Sequence, residues 1–155
     1  MFGPVVTPRL IQYRAIFESA PDGIVVVDGE GRIVEVNPRA VEQFGHAREA
    51  LVGQPIEVLV PEPQREVHRH QRDAYMKRPA ARPMGAGMEL VGRRADGSTF
   101  PVEISLSPME TDRGPLVISV VRDGTERNRL RDFGVGALRA AEDERQRIAR
   151  ELHDD

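Results

Sequence analysis

The sequence predicts an α+β domain built on an antiparallel sheet and followed by one long helix. Two β-branched runs, Ile24 to Val27 and Ile33 to Val36, are joined by Asp28-Gly-Glu-Gly31, a composition suited to a tight hairpin turn with positive φ. A second pair of apolar stretches, Met88 to Arg94 and Thr99 to Ser107, flanks Arg94-Ala-Asp-Gly97, whose Asp-Gly is a strong hairpin signal. From Thr125 to Asp155 there is no proline and the chain is dense in Arg, Glu and Ala, the texture of a polar helix.

In chain order, Leu10 to Ala20 carries apolar residues at Leu10, Ile11, Ile16 and Phe17, a short helix ended by Ser19-Ala-Pro21-Asp-Gly23. After the first hairpin, Asn37-Pro38 supplies an N-cap and a first-turn proline, and Ala40, Val41 and Phe44 share one helical stripe up to Gly45. Gly53, Pro55, Pro61 and Pro63 restrict the next stretch to brief helical turns. The longer helix is expected over Glu62 to Lys77, with Val67, Gln71, Ala74 and Tyr75 as its spaced stripe. Within Thr99 to Ser107, Val102, Ile104 and Leu106 alternate with Glu103, Ser105 and Ser107, and Leu116 to Val121 forms the last of five strands. In the helical tail, Leu130, Phe133, Leu138, Ala141, Ile148 and Leu152 make a sparse apolar stripe, supported by the i,i+4 pairs Asp143/Arg147, Arg147/Glu151 and Arg150/Asp154. Gly134 and Gly136, each costing about 1 kcal/mol relative to Ala, are expected to bend or interrupt that helix.

Composition narrows the function classes. The 155 residues hold 22 Lys and Arg against 25 Asp and Glu, a net charge of -3, so no cationic excess is available for a nucleic-acid backbone or an anionic bilayer. The absence of cysteine removes disulfides, thiolate metal sites, thiol nucleophiles and cysteinyl–flavin photochemistry. No run approaches the roughly 18 apolar residues of a membrane span, and Met1 to Pro8 lacks the layout of a secretory signal, so a cytoplasmic location is expected. The chain stops at Asp155 within a helical pattern and without a capping residue, as a piece of a longer protein would.

Three local signatures join the order of elements: Ala20-Pro-Asp-Gly-Ile-Val-Val-Val-Asp28, Gly92-Arg-Arg-Ala-Asp-Gly-Ser-Thr-Phe-Pro-Val-Glu-Ile-Ser-Leu-Ser107, and Val121-Arg-Asp-Gly-Thr-Glu-Arg127. Together they resemble a PAS sensor domain. The resemblance implies a five-stranded antiparallel sheet with helices across one face and a pocket between the sheet and the longer helix. The tail Glu144-Arg-Gln-Arg-Ile-Ala-Arg-Glu-Leu-His-Asp154 resembles the phosphoacceptor box of sensor histidine kinases. By that resemblance His153 is the nucleophile that attacks the γ-phosphate of ATP, and Asp154 hydrogen-bonds the other imidazole nitrogen and raises its basicity. The expected organisation is an N-terminal tail over 1–9, a PAS domain over 10–124, and a signalling helix with the start of the dimerisation and phosphoacceptor helix over 125–155.

No glycine-rich nucleotide segment or magnesium carboxylate set follows, so ATP and magnesium belong to a catalytic domain elsewhere in the parent protein. This chain is expected to be inactive alone. The partners implied are a second copy of the chain, joined through the N- and C-terminal helices, a response regulator, and a small molecule in the PAS pocket, with no nucleic acid and no membrane. Asp123-Gly-Thr-Glu126 has the layout of a capping box, and it resembles the motif by which PAS domains launch an output helix, so Asp123, Thr125 and Glu126 are expected to transmit the signal.

For the pocket, Leu59-Val-Pro-Glu-Pro63, His68, Tyr75 and Gly85-Ala-Gly87 are similar to the haem-binding PAS domains of oxygen-sensing kinases. That similarity implies haem as a candidate cofactor, with iron held by His68. Where those sensors place an arginine after the Gly-x-Gly, this chain has Met88, a candidate for the distal side. His68 and His70 point to different faces of a helix, so a shared metal site is not expected. The alternative is a pocket lined by Ile24, Val26, Val36, Phe44, Leu90, Ile104, Leu106 and Val120, self-filled or holding a metabolite.

Overall fold

A computed structural model describes residues 8–84 and 90–153, with side chains described except at 8–11, 126–133, 135 and 151–153. The chain divides into two compact units, Met1–Asp123 and Gly124–Asp155.

The first unit begins with α1 (Pro8–Ser19) and the hairpin β1 (Gly23–Asp28) and β2 (Ile33–Val36). Its turn is held by Asp28, whose Oδ1 accepts from the amides of Glu30 and Arg32 at 2.9 and 3.0 Å, and by Gly31 at φ 80°. Gly31 is required twice over, because a Cβ there would also lie 1.8 Å from the Arg72 guanidinium.

Asn37 then caps α2 (Pro38–Phe44) as expected, its Oδ1 accepting from the Ala40 amide at 3.0 Å. The same side chain is fully buried and does more. Its Oδ1 also accepts from the Ile24 amide at 2.8 Å, and its Nδ2 donates to the carbonyls of Phe17 and Asp22 at 3.1 Å each. One asparagine thus ties the end of α1, the start of β1 and the start of α2, with no polar atom of its own left unpaired. Gly45, at φ 71°, closes α2.

The prolines and Gly53 divide the next segment as expected into α3 (Arg48–Leu51) and 3₁₀ turns at Ile56–Leu59 and Glu62–Gln64, after which α4 runs Arg65–Lys77. Four strands follow: β3 (Arg82–Pro83), β4 (Leu90–Arg93), β5 (Thr99–Thr111) and β6 (Gly114–Asp123). The antiparallel sheet runs β2-β1-β6-β5, with β3 and β4 both paired to β5. Among the described residues it has six strands, the five expected and the two-residue β3, too short to leave a sequence signal.

Register decides which residues meet the helices. Val25 and Val27 oppose Ser119 and Val117, and together with Ile33, Val36, Phe100, Val102 and Val121 they are at most 8% exposed. Ala40, Phe44, Leu51, Leu59 and Tyr75 cover them. Each such apolar side chain contributes about 1.5–3 kcal/mol by leaving water. Ile24 pairs with Val120 and Val26 with Ile118, on the opposite face. The expected pocket lining is thereby divided: Val36 and Phe44 belong to the buried face and Ile24 and Val26 lie on the other, while Leu90, Ile104 and Val120 together line one cleft.

The second unit is α5 (Thr125–His153), 29 residues long and unbroken through Gly134 and Gly136. Arg145 pairs with Glu142 at 3.1 Å and Arg147 with Glu144, both at i,i+3. Leu138 and Ile148 of the apolar stripe are 73% and 46% exposed.

Candidate functional site

The inward face of α4 is polar. The stripe expected from the sequence is turned outward, with Val67 58% exposed and Gln71 and Ala74 exposed as well; of that stripe only Tyr75 is buried. Facing inward instead are His68 and Arg72, one helical turn apart, with Tyr75 a further turn on. They converge on Glu57, which the 3₁₀ turn between Pro55 and Val60 directs into the fold, leaving its side chain 4% exposed. His68 Nδ1 lies 2.8 Å from Glu57 Oε2, and Arg72 Nη1 donates to Glu57 Oε1 at 2.8 Å and to the Gly31 carbonyl at 3.3 Å. A buried carboxylate needs such partners, since its desolvation is otherwise uncompensated. Tyr75 completes the row, its hydroxyl donating to the Ala80 carbonyl at 2.7 Å and its ring lying 5.2 Å below the Arg82 guanidinium.

This cluster bears on His68 as an iron ligand. A ligating imidazole almost always gives its second nitrogen to a carboxylate or carbonyl, and Glu57 stands where that partner belongs. Among the described residues no room is left for a macrocycle, because Val25, Val27, Ile33, Leu51, Leu59 and Tyr75, each at most 7% exposed, fill the space over the sheet. A cleft of about 350 Å³ lies at the β3–β4 edge, among Pro83, Met84, Leu90, Val102, Ile104 and Arg122. Another of about 450 Å³ lies among Met76, Pro79, Pro108, Met109, Pro115 and Leu116. His68 lines neither. Met88 lies outside the described residues, and His70 is exposed on α4.

The remaining expected residues lie at the end of the sheet and along α5. Asp123 ends β6, Thr125 opens α5, and Gly124 stands between them. Glu126 is in the first turn of α5 and His153 is its last residue, both with side chains outside those described; Asp154 lies outside the described residues. The structure thus groups His68 with Glu57 and Arg72, and places Asp123, Thr125 and Glu126 on the same chain path as His153. Sequence reasoning missed Glu57 and Arg72. The available signal was a lone acid inside the apolar run Ile56-Glu-Val-Leu59, flanked by prolines that allow only a short turn.

An open antiparallel sheet covered on one face by short helices, with a long polar helix after it in the chain, defines an α+β class of domain. Comparison with known proteins agrees. Residues 11–124 match the family model described as the PAS fold, and the chain belongs to that family. It is 33% identical to the sensor protein FixL of Bradyrhizobium diazoefficiens over 118 residues, 76% of this chain and 23% of that protein. It is 26% identical to the cell-division control histidine kinase PdhS of Brucella ovis over 131 residues, 84% of this chain and 12% of that protein. The chain therefore spans less than a quarter of the length of either relative. Among solved structures, the PAS domain of an HTR-like protein from Haloarcula marismortui superposes with a TM-score of 0.61 at 26% identity, over 73% of this chain and 89% of that one. A PAS domain from a two-component sensor histidine kinase superposes at 0.62 with 15% identity, over 74% and 96%, a likeness of fold.

Proposed function

We propose that this chain is the sensing and dimerising portion of a sensor histidine kinase, with a PAS domain over 10–124 and a signalling and phosphoacceptor helix over 125–155. The observation that carries the reading is the single helix leaving β6 after one residue and continuing for 29 residues to His153, through Glu144-Arg-Gln-Arg-Ile-Ala-Arg-Glu-Leu-His. The similarity to two sensor and histidine-kinase proteins supports it.

In the parent protein a neutral His153 nitrogen attacks the γ-phosphorus of ATP; the N–P bond forms, the bond to the β,γ-bridging oxygen breaks, and ADP leaves. Asp154 holds the other imidazole nitrogen and stabilises the cation that forms. The phosphoryl group then passes to an aspartate of a response regulator. ATP and magnesium are held by a catalytic domain beyond this chain. The protein works in the cytoplasm as a homodimer through its terminal helices, and Asp123, Thr125 and Glu126 couple the sheet to the output helix. Radiolabelled phosphotransfer in the full-length parent tests this: His153→Gln abolishes acid-labile phosphorylation and transfer to the regulator, and persistent labelling in that variant sinks the reading.

A second reading, haem held by His68, is favoured by the Glu57–His68 hydrogen bond. Bound haem would supply iron for gas or redox sensing, and Glu57 would orient His68 toward it. Seating it requires the side chains packed over the sheet to part. Absorption from 300 to 700 nm with added hemin is the check, with a Soret band that His68→Ala removes and Glu57→Gln shifts. A featureless spectrum discards haem and leaves a small metabolite or none.

A further inference from the structure

Gln43, on α2, is 7% exposed, and its Nε2 donates to the carbonyl of Val121 at 3.1 Å. Because that carbonyl can only accept, the orientation of the amide is set. The other end of the amide, Oε1, is buried and has no hydrogen-bond partner. It occupies the space that a side chain at position 23 would need, since a Cβ on Gly23 would come within 2.1 Å of it. Gly23 is outside the left-handed region, so the reason for glycine here is space rather than backbone freedom.

A buried acceptor without a partner is destabilising, and a residue that tolerates one is held for what its other end does. That other end grips β6 two residues before Asp123, the last residue of the strand. Val121 stands opposite Gly23 on β1 and Ile104 on β5, so the amide adds a bond from the helical layer to a point where three strands already meet. The neighbouring tie, Arg122 to Asp22 at 3.4 Å, is largely exposed and contributes little.

We infer that Gln43 is a positioning residue for signal transmission, the one described side chain of α2 that holds the C-terminal end of β6 in the place from which α5 departs. This rests on the reading that β6 passes its state to α5. A displacement of α2 by an event in the domain interior would then reach α5 through Val121 rather than through the loops between them.

The test is hydrogen–deuterium exchange on the whole 155-residue chain, alongside thermal unfolding. Gln43→Leu keeps the bulk and deletes the donor. Gly23→Ala leaves Gln43 intact and drives its amide away from Val121. Both should raise exchange at least tenfold over residues 119–130 while residues 26–34 of the first hairpin stay within twofold of wild type. Combining Gly23→Ala with Gln43→Ala relieves the crowding and recovers the unfolding midpoint, yet the local exchange stays fast because the donor is gone. If Gln43→Leu does not fold, Gly23→Ala and the double variant carry the test. A uniform rise, no rise, or recovery of local exchange in the double variant reduces Gln43 to a packing residue and overturns the inference. None of these outcomes depends on whether His153 is phosphorylated, so failure here and failure of the kinase reading are separable.

Discussion

The described residues between 12 and 123 bury an apolar core of their own, although Tyr13, Ile16, Val67 and Val91 remain on the surface. Val25, Ile33, Leu51 and Ala40 are at most 1% exposed, and even the polar side chains of His68 and Arg72 are turned inward onto Glu57. Among the described side chains of the helix 125–153 none is buried: Leu138 and Ile148 are 73% and 46% exposed, and the ion pairs at 142/145 and 144/147 lie along the helix's own surface. Such pairs stabilise a helix by only about 0.2–0.5 kcal/mol each. The first unit is therefore specified by its own core. The second is specified as a helix, and the exposure of Leu138 and Ile148 on its apolar stripe is the observation on which the proposed homodimer rests.

Breaking the first unit should produce the largest effects. Phe44→Ala removes a ring set edge-on to Phe100 at 5.2 Å and opens a cavity beneath α2, at a cost of about 3–5 kcal/mol in urea unfolding. Glu57→Ala strips the buried cluster of its only described anion and leaves Arg72 without its partner, a loss on the order of 3 kcal/mol by the same measurement. Adding Arg72→Met should recover part of that loss, because a charge that is absent needs no counterion.

A smaller, pH-dependent effect is expected at Glu35. Arg48 grips its carboxylate through two hydrogen bonds of 2.6 and 2.8 Å, and this bond, more than any other cause, holds Glu35 below its ordinary value of 4.5. A carboxylate lowered in the folded state contributes stability above its unfolded pKa and loses it as the pH falls through the folded one. The gap in Tm between wild type and Arg48→Ala should therefore be constant near neutrality and shrink below about pH 4.5. A gap unchanged at pH 3 would show that the pair acts by packing alone.

The comparison is sharpest where no change in stability is expected. Leu138→Ser combined with Ile148→Ser should leave the unfolding of residues 11–123 within about 0.5 kcal/mol of wild type, as for other exposed positions. Sedimentation should then show self-association lost. A variant that sediments as wild type removes this face from the dimer.

Much of the fold was legible because its signals are local. Asp28, Gly31, Pro38, Gly45 and, in its capping bond to Ala40, Asn37 act on backbone groups within four residues of themselves, so their types and spacing announce the first hairpin and α2, whereas the bonds from Asn37 to Phe17, Asp22 and Ile24 left no such signal. Legibility failed where a partner is remote. The polar inner face of α4 reads as an outer face until Glu57, 11 residues before His68 and 15 before Arg72, is placed against it. The run Ile24-Val-Val-Val27 is apolar on both sides, and only pairing with β6 shows that Val25 and Val27 meet the helices.

The amino-acid sequence alone determined the order of elements apart from the two-residue β3, the turns and caps of the first hairpin and α2, the membership of the PAS family and the polar character of α5. Those follow from backbone preferences and side-chain chemistry over a few residues. Tertiary structure decided which face of each strand is buried, that His68 answers to Glu57, and that Gln43 reaches Val121 across 78 positions of chain. Burial and buried polar pairing are properties of what stands opposite, and in this fold the opposite residue is rarely a neighbour in sequence.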